Sequence, residues 1–398
     1  MTATAAAIRV PLYLLIAVST VGPVTINIFI PSLPGLQATF AVDYATIQLA
    51  LTLYLVGVGV GQLAYGPLSD RFGRRPMMLA GLGIYVAGSA LCIVAPDIET
   101  LIAGRVVQSL GGCAGLVMGR AIVRDIHDRA SSASVLAYVT VGMVLAPMLA
   151  PTLGGFLDAW HGWRTSFAVL IGAGLALLVL VALRLPETHP ARGRMASLGG
   201  MLRDFARLGA TRAYLGYTLQ VAVAFGVFFT FLAGAPYVMV QELGRPVHEF
   251  GPYFILIGGT YAIGNFIAGR ISVRVGLDRM IARGTLIALG GSVVFLAIAL
   301  SGRLTPLTLF LPLTLLSIGQ GFAIPNGLAG AVSVDPERAG AAAGLAGFLQ
   351  MAFGALAAHV TGLVVPYGAW TLAVMMAAGS AAAVAIHVLG VAPGRRAG

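Results

Sequence analysis

GQLAYGPLSDRFGRRP, residues 61–76, lies in the gap between two long apolar segments. It places one acid, Asp70, next to three arginines, and its glycines and prolines suit a sharp change of chain direction. A gap that is this short and this charged predicts a tight turn at a membrane surface, between two membrane-spanning helices.

The composition is that of a polytopic membrane protein. Of 398 residues, 58% are hydrophobic and only 10% are charged, whereas a soluble protein carries about 25% charged residues. Apolar stretches of about 20 residues recur along the chain, and each is long enough to cross about 30 Å of hydrocarbon. They predict an all-α membrane protein with twelve transmembrane helices, at roughly 10–33, 46–66, 76–95, 99–122, 133–157, 163–185, 213–240, 250–269, 279–301, 305–330, 338–364 and 368–391.

The net charge of +10 follows from membrane topology and needs no nucleic-acid partner. With a cytoplasmic N-terminus and twelve alternating spans, 20 of the 24 arginines fall on the inner side and three on the outer side. Arg105 alone falls inside a span. This asymmetry predicts a multi-pass protein of the inner membrane with both termini in the cytoplasm.

Several kinds of chemistry are excluded by residue type. All 24 basic residues are arginine, so the chain lacks the lysine of a Walker-type phosphate loop and of Schiff-base catalysis. Cys92 and Cys113 lie within spans and indicate neither a disulfide nor a metal site. We therefore expect no enzymatic activity, no metal and no cofactor.

A polar, Arg-rich stretch divides the chain into two parts. It covers residues 186–212 and follows the sixth span. The predicted organisation is an N-terminal six-helix half (1–190), a cytoplasmic linker (191–212) and a C-terminal six-helix half (213–398). Around 198–208 the linker is expected to form a short amphipathic helix on the membrane. RISVRVGLDR, at 270–279, repeats weakly the turn at 61–76.

Two charged features point to mechanism. Arg105 lies well within the hydrocarbon, where a buried ion is expensive and marks a functional site, and Gln108 is one helical turn away. At the inner surface, Asp70, Arg74 and Asp125 are expected to cluster. Such a cluster is predicted to act as a conformational latch that ties the halves together in one state and breaks in the other.

Several segments together resemble the major facilitator superfamily. The turn at 61–76 matches its signature, LIAGRVVQSLGG at 101–112 is similar to its fourth-helix motif, and GMVLAPMLAPTLGG at 142–155 to the fifth-helix motif of its antiporters, with Ala146 in place of a glycine. INIFIPSLP at 26–34, GRAIVRD at 119–125 and GFLQ at 347–350 resemble the bicyclomycin/chloramphenicol-resistance branch of drug:proton antiporters.

This resemblance implies a monomeric multidrug exporter that works by alternating access and is coupled to proton entry. It implies a fifth helix that seals the cavity, through Gly142, Pro147, Pro151, Gly154 and Gly155. It also implies a latch formed by Gly66, Asp70, Arg71, Gly73, Arg74, Arg75, Arg124 and Asp125. The cavity wall, which suits amphipathic compounds, is predicted to include Asn27, Tyr54, Arg105, Gln108, Phe228, Phe231, Asn326 and Gln350.

The chain departs from this branch at Asn27. The branch has an aspartate at this first-helix position, and a membrane-embedded carboxylate can carry protons, whereas asparagine cannot titrate. All 14 acids fall in loops or at helix ends, and Asp43 is predicted to cap the second span. His359 is the possible proton site within a span. The alternative is a metabolite exporter or facilitator without strict proton coupling.

Overall fold

The computed structural model describes residues 10–127, 129–189 and 198–391. The secondary structure of this part is helical, and short 3₁₀ or π turns adjoin several helices. The α-helices are α1 (Leu12–Phe29), α2 (Leu33–Phe40), α3 (Tyr44–Phe72), α4 (Arg74–Ile93), α5 (Ile98–Ile126), α6 (Arg129–His161), α7 (Arg164–Arg184), α8 (Leu198–Gly209), α9 (Arg212–Tyr237), α10 (Phe250–Val275), α11 (Leu277–Leu300), α12 (Pro306–Ser333), α13 (Ala339–Val364) and α14 (Ala369–Ile386).

Twelve spans in the described residues are long and apolar enough to cross a membrane, which confirms the predicted count. The first span joins α1 and α2 through a 3₁₀ turn at Ile30–Ser32, and the other spans correspond to the remaining helices except α8. Some spans are longer than predicted. The second span was predicted at 46–66, whereas α3 has 29 residues and is therefore about 44 Å long. Asp43 accepts a hydrogen bond from the Thr46 amide at its start, as predicted.

We call α1–α7 the N-half and α9–α14 the C-half. The linker end of the bundle holds the α3–α4 turn and α8, and the far end holds the α2–α3 turn. Helix α8 packs against the C-half, where Leu208 contacts the core around Tyr214 and Asp204 accepts a hydrogen bond from Arg338 Nε at 2.9 Å. Residues 190–197 of the predicted linker lie outside the described residues.

Small residues bring the helices of the N-half close together. A Cβ atom on Gly111 of α5 would collide with the α4 backbone at Gly81 and Tyr85, and one on Gly57 of α3 would collide with Ser109 of α5. In a membrane, helices associate through such close packing because lipid supplies no hydrophobic drive between them. The result is a tightly packed interior into which α5 projects its polar side chains.

The most extensive contacts between the halves are those of α3 with α13 and of α6 with α10. In the described part of the chain, two hydrogen bonds join the halves, and both lie at the far end. Tyr44 Oη and Gln48 Nε2 donate to the same Ala233 carbonyl oxygen, at 2.7 Å and 3.0 Å. The ring of Tyr44 also packs against the ring of Tyr237, with 4.6 Å between centroids.

Candidate functional site

The turn between α3 and α4 is built around Gly73. Its φ of +95° lies in the region that favours glycine, and a Cβ atom would collide with the Glu187 carboxylate. That carboxylate accepts hydrogen bonds from the backbone amides of Arg74 (2.9 Å) and Arg75 (3.2 Å), which are the first two residues of α4. Glu187 therefore caps the N-terminus of α4 from 113 residues away in sequence.

Arg74 lies at the centre of the charged cluster. Its guanidinium contacts Asp70 Oδ1 at 2.6 Å and Asp125 Oδ2 at 2.9 Å, and it donates to Ser69 Oγ at 2.5 Å. The Arg74 and Asp125 side chains are 8% and 18% exposed, whereas Asp70 is 54% exposed. The Arg74–Asp125 pair is thus the less screened of the two and the more sensitive to loss of a partner.

The position of this cluster corrects the sequence-based hypothesis that it ties the halves together. Arg74, Asp70 and Asp125 belong to α4, α3 and α5, all in the N-half, and Glu187 follows α7. Arg75 donates to the Ala182 carbonyl oxygen of α7 at 2.8 Å, again within the N-half. In this conformation the cluster joins the helices of one half at their linker ends.

Arg124 and Gly66, also predicted for the latch, make hydrogen bonds within their own helices. Arg124 donates to the Arg120 carbonyl oxygen, one turn back along α5. Arg71 is exposed. Gly66 offers its carbonyl to Ser69, and a Cβ atom there would meet no neighbour within 4 Å.

A second charged site lies deep in the N-half. Arg105 of α5 is fully buried, and its guanidinium carbon lies 4.1 Å from the Tyr54 ring centroid and 4.5 Å from that of Phe29. Arg105 Nη1 donates to Gln108 Oε1 at 2.7 Å. In the described chain, Arg105 has no carboxylate within ion-pair distance and its Nη2 has no hydrogen-bond partner.

Small polar side chains extend the Arg105 site across α1, α4 and α5. Gln108 Nε2 donates to Ser89 Oγ at 2.7 Å, and Ser89 donates to the Tyr85 carbonyl oxygen. The hydroxyls of Tyr85 and Thr25 are 2.7 Å apart. Sequence reasoning found Arg105, Gln108 and Tyr54 but missed these three residues, because single hydroxyls in an apolar segment give no signal of their own.

The predicted cavity wall is divided between two packed interiors. Tyr54, Arg105 and Gln108 come together but are fully buried, so they do not line an open cavity in this conformation. Phe231 is also buried, in an aromatic cluster of the C-half with Phe250, Phe254 and Phe310. The prediction that these four residues are exposed to a cavity is therefore wrong for this conformation.

The remaining cavity candidates are nearly buried or packed among aromatic rings. Asn27 Nδ2 donates to the Pro23 carbonyl oxygen at 2.8 Å, and its Oδ1 has no partner in the described chain. Asn326 Nδ2 likewise donates within its own helix, to Phe322. Phe228 packs edge-on against Phe229, and Gln350 is 8% exposed.

The motif of the fifth span lies where α6 meets its neighbours. Added Cβ atoms on Gly142 and Gly154 would collide with Ile16 and Ile28 of α1. Gly155 faces His248, in the 3₁₀ turn that precedes α10 of the C-half. Pro147 and Pro151 lie within α6, which is assigned as one continuous helix from Arg129 to His161. These positions place the motif at the contact between α1, α6 and the C-half.

His359 lies in a groove between the halves. Together with Thr52 it lines a cavity of about 410 Å³ between α3 and α13, whose wall is otherwise apolar. Neither His359 Nδ1 nor Thr52 Oγ1 has a hydrogen-bond partner in the described chain. His359 therefore does not belong to the Arg105 site, which lies inside the N-half.

Two six-helix halves with twelve spans define a polytopic membrane protein of the two-half transporter type. The chain belongs to the Major Facilitator Superfamily, whose family model matches residues 15–359. Its family and its relatives are transporters, which implies a small-molecule substrate and a protein embedded in the membrane.

The relatives include proteins named for drug resistance. The chain is 30% identical to a bicyclomycin resistance protein homolog of Haemophilus influenzae, over 85% of each chain. It is 33% identical to a chloramphenicol resistance protein of Pseudomonas aeruginosa, over 76% of this chain and 72% of that one. The resemblance to the bicyclomycin/chloramphenicol-resistance branch therefore holds.

A solved structure shows the same fold. The crystal structure of a bacterial homolog to the human lysosomal transporter Spinster, in an inward-facing and occupied conformation, aligns with a TM-score of 0.72. The alignment covers 96% of this chain and 94% of that one, at 17% sequence identity. Similarity at this level of identity is evidence for the fold alone.

Proposed function

We propose that this transporter exports small amphipathic compounds by alternating access, as a monomer of the inner membrane with both termini in the cytoplasm. The substrate class is supported by the relatives named for resistance to bicyclomycin and chloramphenicol. Export of a drug lowers its concentration inside the cell, which is a direct route to resistance.

The observation that carries the mechanism is the distribution of hydrogen bonds between the halves. Both of those described end on the Ala233 carbonyl oxygen at the far end. A rocking motion about the midplane breaks these two bonds to open the far end. The Arg74 cluster supports this motion from within one half, because it holds α3, α4 and α5 together as they move.

Within this mechanism, Arg105 binds the polar group of the substrate. Its unpaired Nη2 is a hydrogen-bond donor held in an apolar interior, where an unsatisfied polar group is costly. When the halves part, a substrate acceptor pairs with Nη2 while the Tyr54 ring contacts the apolar body. Asn27, Phe228, Asn326 and Gln350 remain our candidates for the rest of the wall.

We further propose that proton entry drives export and that His359 carries the proton. An imidazole titrates near neutral pH, and His359 lies on α13 at the boundary between the halves. A second function, facilitated transport or metabolite export without strict coupling, is favoured by Asn27, because its amide cannot replace a titrating carboxylate.

Transport of labelled chloramphenicol in proteoliposomes tests both proposals. With an imposed pH gradient, wild type is expected to concentrate the drug, and His359→Gln is expected to equilibrate it without accumulation. Asn27→Asp is the matched variant that restores the acid of the resembling branch.

The outcomes separate the candidates. Accumulation by Asn27→Asp but not by wild type supports the facilitator. Accumulation by His359→Gln equal to wild type removes His359 as the proton carrier. No chloramphenicol flux from any variant contradicts export of this substrate class.

A further inference from the structure

The groove between α3 and α13 has the size and composition of a ligand site. Its volume of about 410 Å³ falls in the range of small-molecule pockets, roughly 300–1,000 Å³. The apolar wall includes Val56, Phe348, Ala352 and Leu356, and the polar groups at its surface are those of Thr52 and His359.

This groove opens away from the interior of the bundle. Leu356 and Leu363 lie two turns apart on one face of α13 and are 60% and 50% exposed. Leu363 is next to Gly362, which packs against Gln48 at the far end, where the halves are in contact. A face that stays exposed beside a closed contact points to the outside of the bundle, which for a membrane span is the lipid.

Two polar atoms in the groove lack partners. Thr52 is 9% exposed, and its Oγ1 makes no hydrogen bond in the described chain even though it lies in the second span. Nδ1 of His359 likewise makes no hydrogen bond in the described chain. A buried polar group without a partner costs about 1–3 kcal/mol, so both atoms favour a ligand that brings its own hydrogen-bonding group.

We propose that this groove binds an uncharged, lipophilic aromatic compound with one N–H or O–H group, drawn directly from the bilayer. The apolar wall contacts the ring system, and Thr52 and His359 pair with the polar group. The site rests on the proposed export function and adds to it a route by which membrane-dissolved substrates reach the boundary between the halves. It is separate from the Arg105 site inside the N-half.

N-phenyl-1-naphthylamine is a suitable probe because it is uncharged, aromatic and carries one N–H. A bimane label attached through Leu356→Cys reports occupancy by energy transfer from the bound probe in proteoliposomes. Cys92 and Cys113 are buried and free, so labelling is confined to the new thiol. Leu286→Cys on α11 is the matched control for probe dissolved in lipid, since Leu286 is 57% exposed.

We expect saturable energy transfer at position 356 and a linear, weaker signal at position 286. The double variant Thr52→Val/His359→Leu is expected to raise the half-saturating probe concentration about tenfold, the effect of losing two neutral hydrogen bonds. His359→Gln, which keeps a hydrogen-bonding side chain, is expected to restore part of the affinity.

A second variant tests the site without removing its polar groups. Ala352→Phe fills the groove and is expected to abolish the saturable signal. Equal, non-saturable signals at positions 356 and 286, or saturable binding unchanged in Ala352→Phe, would overturn the proposal. Saturable binding in a protein that moves neither chloramphenicol nor the probe would keep the site and contradict the export function.

Discussion

The two halves share a fold, but their interiors differ in chemistry. The N-half buries a charged guanidinium, Arg105, among neutral groups of α1, α3, α4 and α5. The C-half buries Phe231 in its first helix, α9, stacked on Phe254 with 6.3 Å between ring centroids. A buried charge lowers stability and supplies a binding group, whereas buried rings supply packing. On the proposed function, Arg105 therefore belongs to the substrate site, whereas the Phe231 cluster packs the C-half.

The same contrast appears in the turns at the linker end. Gly73 and Gly276 occupy equivalent gaps and have similar backbone angles, with φ of +95° and +88°. A Cβ atom on Gly73 would collide with Glu187, whereas one on Gly276 would meet nothing within 4 Å. The repeated glycine is thus a feature of the shared fold, and the tight packing around it belongs to the N-half alone.

The largest expected effect is loss of transport in Arg105→Met. The variant removes the proposed substrate contact, so chloramphenicol flux in proteoliposomes is expected to vanish. Its thermal stability is expected to stay close to wild type, within about 2 kcal/mol, because relief from burying a charge opposes the cost of leaving Gln108 unpaired. Retained flux would contradict the proposed substrate contact. Collapse of the fold would show that Arg105 has a structural role instead.

The reverse result is expected for Phe231→Ala. Truncation of a buried Phe leaves a cavity and costs about 3–5 kcal/mol, so the unfolding temperature in detergent is expected to fall sharply. The folded fraction is expected to keep its affinity for substrate. Phe231→Leu, the matched control, preserves most of the volume and is expected to lose much less. A loss of affinity at unchanged stability would assign Phe231 to the cavity.

A smaller effect is expected from alanine in the two turns. Gly276→Ala carries the penalty of a positive-φ, extended backbone that is nearly restricted to glycine, about 1–3 kcal/mol. Gly73→Ala adds displacement of Glu187 from the N-terminus of α4 and is expected to cost more. Thermal unfolding of the two variants side by side measures the difference. Equal losses would mean that the Glu187 cap adds nothing to the turn.

The smallest effect is expected from the partly exposed ion pair of Arg338 and Asp335 in the C-half. A hydrogen bond from Arg338 to Asp335 holds the pKa of that carboxyl below its ordinary value. A lowered pKa stabilises the fold at pH values above the unfolded pKa, and this contribution is lost as the pH falls through the folded value. Thermal scans of wild type and Asp335→Asn are expected to differ by a small, constant amount above the unfolded pKa of about 3.9 and to converge as the pH falls through the lowered value. A difference that grows on acidification would contradict this assignment.

The features that sequence predicted well are those encoded locally. The twelve spans follow from runs of apolar residues, and the Asp43 cap follows from a polar residue placed just before such a run. The proximity of Asp70 to Arg74 follows from their spacing of four residues. These signals need no knowledge of how the helices pack.

The features that sequence missed depend on packing between distant segments. Glu187 reaches the α4 amides across 113 residues, and nothing near it in sequence marks it as a cap. The hypothesis that the Arg74 cluster bridges the halves failed because charge pattern alone does not say which helices share a bundle. The groove at Thr52 and His359 likewise exists only where α3 meets α13.

Alternating access is tested most directly by distances between spin labels at the two ends of the bundle. The pair Phe72→Cys and Val273→Cys reports the linker end, and Val94→Cys with Leu300→Cys reports the far end; all four positions are exposed. When chloramphenicol and a pH gradient are applied in proteoliposomes, we predict that one distance shortens while the other lengthens. Two distances that stay constant, or that change in the same direction, would contradict the account.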